Sequence, residues 1–387
     1  MPIITIRSDT RAERSQQPPA HTTAGFTFSW RPIFLLLVLF LLAQTAPVHS
    51  ASPIEPEPHH PYELGRGLHL HDSQIILGGY ASLKHIQLDD TPAKTEISDL
   101  SLFVQWDNGD RWRAFTEMEI GEPLVYEQGS LTTKEGEFEL ERAYLDYLYS
   151  SSLSFRFGKS LTPIGHWNSI HADPLIWTVS RPLTTDAGFS HYITGLIMRG
   201  NIPVSEGIWK YQLYLDDTGN LDPKSDNPSP TGKLIPGVET GAFKHARGGQ
   251  FRYQPDSELW QLGISLSRFG IEGFGGHKTL IGLDFLWHPD FVELSGEAIY
   301  RWDSDDEQRD EWGAFLQAIV PIVPRWYGVS RYERFDDLAV SGEAHTLSLG
   351  VAWRPIPPVT IKLEVRRGSD NELLAPDAFF ASAAVLF

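Results

Sequence analysis

The chain has 387 residues, 41% of them hydrophobic and 21% charged, and a mean hydropathy of −0.24, which excludes a membrane protein built of long apolar helices. Cysteine is absent, ruling out a disulfide scaffold, a thiol nucleophile or a cysteine-bound zinc. A net charge of −18, from 32 Lys and Arg against 50 Asp and Glu, argues against nucleic-acid binding, because a phosphate backbone rewards basic surfaces.

In chain order, Arg7, Arg11, Arg14 and Arg31 precede the apolar run Ile33–Ala43, and a polar stretch follows that ends His49-Ser50-Ala51. This reads as a signal peptide over residues 1–50. The run is too short for a helix crossing about 30 Å of hydrocarbon. Residues 51–72, rich in proline and histidine, read as a periplasmic lead-in without regular structure. Its histidines His59, His60, His69 and His71 could meet a transition metal, but no carboxylate or cysteine partner stands at ligand spacing.

From Ser73 onward the apolar residues recur with period two rather than 3.6. The alternation predicts strands over 73–83, 96–106, 111–120, 138–149, 153–160, 191–201, 208–216, 245–254, 259–268, 278–288, 291–302, 312–320, 325–335, 344–354, 359–367 and 379–387. The intervening segments have 12, 4, 17, 3, 30, 6, 28, 4, 9, 2, 9, 4, 8, 4 and 11 residues, long and short in strict turn. A soluble sandwich has no reason to keep that order. An up-and-down barrel with one end in the periplasm and the other outside the cell does.

Nine to twelve residues is also the length a tilted strand needs to cross the apolar layer. Trp106, Trp112, Trp209, Trp260, Trp287, Trp326 and Trp353 lie within three residues of a short connection, the arrangement of an aromatic girdle at one membrane interface. The fold expected is therefore all-β, a transmembrane antiparallel up-and-down β-barrel of 16 strands (range 14–18) over 73–387, with short periplasmic turns and long external loops.

The last segment, Phe379 to Phe387, alternates and ends on phenylalanine. It resembles the closing strand of bacterial outer-membrane barrels, whose terminal aromatic implies recognition by the barrel-assembly machinery. The stretch 141–168, ERAYLDYLYSSSLSFRFGKSLTPIGHWN, resembles the approach to the third external loop of porins related to the phosphate-selective (O/P-like) family. That resemblance implies a sixteen-stranded barrel, commonly a homotrimer, set among outer-membrane lipid and lipopolysaccharide, whose third loop folds inward to set the pore width. Here that loop is 161–190, the longest connection, holding His166, Asp173, Trp177, Arg181 and Asp186. It lacks the rich set of arginines and lysines on which phosphate selectivity rests in that family, so phosphate specificity is not carried over.

Alternation and the loop together nominate Arg111, Arg113, Glu117, Glu119, Arg142, Asp146, Arg156, Lys159, His166, Asp173, Arg181, Arg199, Glu297, Arg301, Lys362 and Arg366 as pore-lining or constriction residues, with Lys210, Glu293 and Glu364 beside them. Opposed charges at a constriction orient dipolar solutes and filter ions; the same charges could instead pair across strands and hold the wall together. Acidic stretches around 303–311 and 216–226 would favour cations or neutral solutes at the mouth.

The expected function is passive diffusion of small hydrophilic solutes, with no cofactor, no metal and no nucleic-acid partner. Two alternatives remain: a non-conducting surface barrel serving adhesion or assembly, and an outer-membrane lipid-acting hydrolase. For the latter, Ser169, His166, His171 and Asp173 lie together in the loop, but no G-x-S-x-G elbow or H-E-x-x-H motif is present.

Overall fold

In the computed structural model the described residues are 61–387, except 71–72, 90, 134–136, 171, 187, 218–242, 272–275, 304–309, 337–342 and 372–373. The sixteen predicted strands are all present: β1 (Ile75–Leu88), β2 (Lys94–Asp107), β3 (Trp112–Glu127), β4 (Glu137–Ser150), β5 (Leu153–Leu161), β6 (Tyr192–Val204), β7 (Gly207–Asp216), β8 (Phe243–Pro255), β9 (Trp260–Ile271), β10 (Lys278–Trp287), β11 (Glu293–Asp303), β12 (Glu311–Val323), β13 (Trp326–Asp336), β14 (Glu343–Trp353), β15 (Val359–Ser369) and β16 (Ala378–Leu386).

Each strand pairs antiparallel with its sequence neighbour, and β16 returns to β1, with Ala378 opposite Leu88 and Leu386 opposite Tyr80. Gly79 and Phe387 exchange a further pair of backbone hydrogen bonds at 2.8 Å. The ladder thus closes without an open edge, the condition for strands to stand in hydrocarbon, where water cannot satisfy a free N–H or C=O. The tight reversals follow local chemistry. In Asp107-Asn108-Gly109-Asp110, the Asp107 carboxylate accepts from the Gly109 N–H at 2.8 Å and the Asn108 side-chain oxygen Oδ1 accepts from the N–H groups of Asp110 and Trp112 at 2.9 and 3.0 Å, while Gly109 takes a φ of 74° that side chains disfavour.

The two faces are inverted relative to a soluble protein. Outward residues are apolar and open, such as Leu262, Ile264 and Leu266 on β9 and Leu283 on β10, the last 56% exposed. Inward residues are polar and covered, such as Ser265 and Ser267 on β9, Asp284 on β10 and Glu297 and Arg301 on β11. Only a solvent of low polarity outside and a wet interior make that arrangement favourable. Outer-face aromatics cluster at the short-turn end: Trp112 against Tyr147 at 4.6 Å, Trp209 with Tyr253 at 5.1 Å and Tyr253 with Trp260 at 5.4 Å, and Trp326 stacked on Trp353 at 5.3 Å. These are the girdle tryptophans expected from the sequence.

The lead-in departs from expectation. Residues 62–63 and 67–70 form two short strands, paired to each other and, through Leu68 to Leu70, to Ile75–Leu77 of β1. They take up the β1 backbone that β16, ending at Leu386, no longer reaches, which is why a segment with weak β character orders there. Residues 1–60, including the segment read as a signal peptide, His59 and His60, fall outside the described residues, as does His71.

Candidate functional site: an inward loop and the wall it leaves open

Between β5 and β6 the chain runs from residue 162 to 191, whose described residues form a short 3-10 turn (Trp167–Ser169) and a single α-helical turn (Leu183–Asp186). It crosses the barrel interior and is fixed to the far wall by inward side chains of strands distant in sequence. The Glu297 carboxylate accepts from the backbone N–H groups of His166, at 2.6 Å, and Trp167. Ser265 accepts from Gly165 N–H at 3.3 Å, while Gln250 and Arg252 donate to the Gly165 carbonyl at 2.8 and 3.1 Å. Gly165 adopts a φ of 66°, and a Cβ there would collide with the Glu297 carboxylate.

Further along, Trp177 donates to Glu293 at 2.9 Å, and Glu364 accepts from the N–H groups of Val179 and Ser180 at 2.7 and 3.0 Å. Glu333 accepts from Leu183 N–H at 2.7 Å. Arg331, only 1% exposed, donates to Thr178 Oγ1 at 2.7 Å and to the Ser180 carbonyl at 3.0 Å. Lys362 donates to the carbonyls of Asp173 and Thr178, both at 3.0 Å, and Arg301 to that of Gly188 at 2.7 Å. In the same row of the wall, one strand beyond Ser382, Lys84 of β1 pairs with Asp173 at 2.7 Å. Apolar side chains of the loop, Ile164, Leu183 and Phe189, pack with Ile193, Phe243, Phe269, Leu280, Ile299 and Phe335 of the wall. The hydrophobic core of the molecule therefore lies inside the barrel, beneath the loop.

The nominated residues divide into three groups. Glu297, Arg301 and Lys362, with Glu293 and Glu364, hold the loop rather than standing free on the lumen wall. Arg366 is buried nearby, donating to the Pro376 carbonyl at 3.1 Å and lying over Phe380 at 5.1 Å. Arg111 and Arg113 sit at the short-turn rim, donating to Tyr147 at 3.2 Å and Asp107 at 2.7 Å, and Lys210 bonds Gln254 at 2.6 Å.

Glu117, Glu119, Arg142, Asp146, Arg156 and Arg199 share the inner face of β3 to β6, the wall to which the loop is not clamped. There Arg142 pairs with Glu117, Arg156 reaches both Asp146 oxygens at 2.8 and 3.0 Å, Arg199 also pairs with Asp146, and Glu119 accepts from Tyr80 at 3.0 Å and Ser101 at 2.6 Å. Lys159 stands opposite Ala143 and Thr194, on the parity of Phe157 rather than Arg156, its ammonium over the Tyr192 ring at 4.8 Å.

Within the loop, burial brings the His166 imidazole down to about 4, with Arg252 adding to it, so it is uncharged near neutrality. Burial opposes ionisation of Asp173, yet Lys84, Lys362 and Arg181 hold its carboxyl well below the usual carboxylate range. Burial pushes Asp186 up to about 6 against the pull of Arg181. Arg181, half-buried, is thus the loop cation felt by both carboxylates. The Ser169 hydroxyl donates to the His166 carbonyl and Asp173 pairs with Lys84, so neither is bonded to an imidazole ring, and His171 lies outside the described residues. Most of the acidic stretches 216–226 and 303–311 also lie outside them.

The aromatic side chains of the open wall escaped the sequence reading. Phe103, Phe115 and Tyr144 occupy inward positions in otherwise polar rows, and their parity was the available signal.

No family model matches the sequence. A protein of Aquifex aeolicus (strain VF5), described as uncharacterized, is 30% identical over 362 residues, 81% of this chain and 80% of the other. Among solved structures, the anion-selective porin from Comamonas acidovorans superposes with a TM-score of 0.56 at 12% identity, covering 81% of this chain and 99% of that one. OmpF of Salmonella typhi does so with a TM-score of 0.56 at 10% identity over 82% and 99%, and the outer membrane channel DcaP of Acinetobacter baumannii with 0.52 at 13% over 81% and 97%. The fold is that of bacterial outer-membrane porins.

Proposed function

On the premise that the chain belongs to one family with the Aquifex aeolicus protein, we propose that it is an outer-membrane porin, exported by the signal peptide 1–50 and assembled as a homotrimer, through which small hydrophilic solutes diffuse passively. The observation that carries this reading is the loop 162–191, anchored across the interior by buried carboxylates, arginines and lysines of β1 and β8 to β15, while, among the described residues, the inner face of β2 to β5 is left free of such anchors. A plug meant to seal the barrel has no reason to bond to one side alone. A constriction does, because it must narrow the lumen without closing it.

The filter is then the gap between the loop, with Arg181 and the Lys84–Asp173 pair, and the charged inner face of β2 to β6. Solutes are selected by size and by local charge, with no turnover. Single-channel recording of the purified protein in planar bilayers under a salt gradient tests this. Discrete conductance steps, with a reversal potential that moves when Arg181 is neutralised, are expected. Silence from correctly folded protein overturns the reading and moves the weight to a non-conducting surface barrel.

A further inference from the structure

The wall left open by the loop carries a row of aromatic rings, one from each of four successive strands: Tyr80 of β1, Phe103 of β2, Phe115 of β3 and Tyr144 of β4. Ring centroids follow at 5.7 Å from Tyr80 to Phe103, 5.6 Å to Phe115 and 5.3 Å to Tyr144, the last pair stacked at 25°. Two guanidinium groups join the row, Arg142 over Phe115 at 4.7 Å and Arg156 over Tyr144 at 3.5 Å.

The pairing Tyr80 with Ser101, Phe103 with Glu117, and Phe115 with Tyr144 puts all four rings on the inner face; Leu102 and Leu145 take the lipid side. None of the four belongs to the apolar clusters, among them those packed under the loop; Tyr80 is buried and ends the row, while Phe103, Phe115 and Tyr144 are only half-buried and form its open part. Apolar rings open to a wet lumen forgo burial. A wall that had only to face water would carry polar groups in those positions.

Polar groups border the row: Arg142 pairs with Glu117, Arg156 and Arg199 with Asp146, and Glu119 accepts from Tyr80 and Ser101. Asp99 and Glu141 lie close enough to act on Glu119, so carboxylates outnumber arginines along the strip. A free anion is therefore not favoured here, whereas a solute with hydroxyl groups finds donors and acceptors side by side.

We propose that this strip is the recognition surface of the pore and that the solute class it takes is an uncharged cyclic polyol, a mono- or disaccharide; the proposal rests on the porin reading. The C–H face of a sugar ring lies against the π surfaces, and its hydroxyls, which both donate and accept, bridge the paired arginines and carboxylates. Because the three open rings, Phe103, Phe115 and Tyr144, follow one another at 5.6 and 5.3 Å, a sugar passes from one to the next without leaving the wall, which keeps binding weak at each step, as conduction requires.

Current through the purified full-length protein is recorded with cellobiose and, at matched viscosity, with the acyclic mannitol. Cellobiose is expected to reduce the current saturably, and mannitol only in proportion to viscosity. Phe115→Leu and Tyr144→Leu keep apolar bulk but remove the π face. Their half-blocking concentrations, read against each variant's own open current and with heat-modifiable migration as the folding control, should rise about tenfold per ring.

Identical action of the two polyols on the unmodified protein, or unchanged block in both variants, overturns the proposal. So does saturable block by benzoate in place of cellobiose, which would make the strip a site for aromatic anions. If the protein does not conduct, the porin reading fails separately, and calorimetric titration of the folded protein with cellobiose still decides the strip: binding that weakens in the leucine variants supports it, and no binding overturns it.

Discussion

Glu297 takes two backbone N–H groups of the loop on one carboxylate, and Gly165 is the residue that lets the chain come close enough for this to happen. Hydrogen bonds to a charged acceptor contribute about 1.5–3 kcal/mol each. Glu297→Ala is therefore expected to loosen the start of the loop, seen as larger and noisier single-channel conductance. Gly165→Ala, which adds a collision to a left-handed backbone, should do the same while preserving the carboxylate.

Asp186 supplies a pH test. Its carboxyl is pushed up to about 6 by burial, against about 3.9 in an unfolded chain. Between those values the folded protein holds a proton that the unfolded one has lost, so this group's contribution is most favourable below about pH 4 and declines as pH rises through 6. Thermal unfolding followed from pH 4 to 7 should show that decline, and Asp186→Asn should flatten it, by at most about 2–3 kcal/mol across the window.

At the scale of elements, two systems of bonds are separable. The strands satisfy their backbone groups around the closed ladder, while the loop is held by side chains pointing inward from β1, β8, β9, β11, β13 and β15. Replacing residues 162–191 by a short turn is expected to leave the barrel folded, with heat-modifiable migration preserved, and to raise conductance. Loss of the folded form on electrophoresis would show instead that the apolar cluster of Ile164, Leu183 and Phe189 against the wall is needed for closure.

At the scale of the whole molecule, the inverted faces make a paired prediction. Leu283, central in β10 and outward, is 56% exposed. Leu283→Arg places a charge in hydrocarbon and should cost about 2–4 kcal/mol in a lipid-based folding equilibrium, while Gln105→Arg, which puts the same side chain on the inner face of β2, should cost close to nothing. Equal costs would mean that the outer surface does not meet lipid.

The number of strands, their order and the face each residue takes were legible in the sequence, because a closed barrel in lipid forces period-two alternation, tight turns at one end and tryptophan at the interface. The inward position of Glu297, Arg301 and Lys362 followed from the same alternation. Their employment did not. Whether an inward charge lines water or grips the loop depends on where residues 162–191 come to rest, and those contacts join residues up to 189 positions apart, beyond the reach of any local pattern. The lead-in strands at 62–63 and 67–70 are likewise a product of the β1 backbone that the final strand leaves uncovered.

Parity alone put rings on the inner face of β2, β3 and β4; that they meet in series across neighbouring strands, tilted or stacked, with arginines over two of them, follows from strand register and bulges such as that between Glu117 and Met118. Alternation determined this barrel because solvent acts on every residue one at a time. The constriction was decided by the tertiary structure because it is made of residues that only the closed barrel brings face to face.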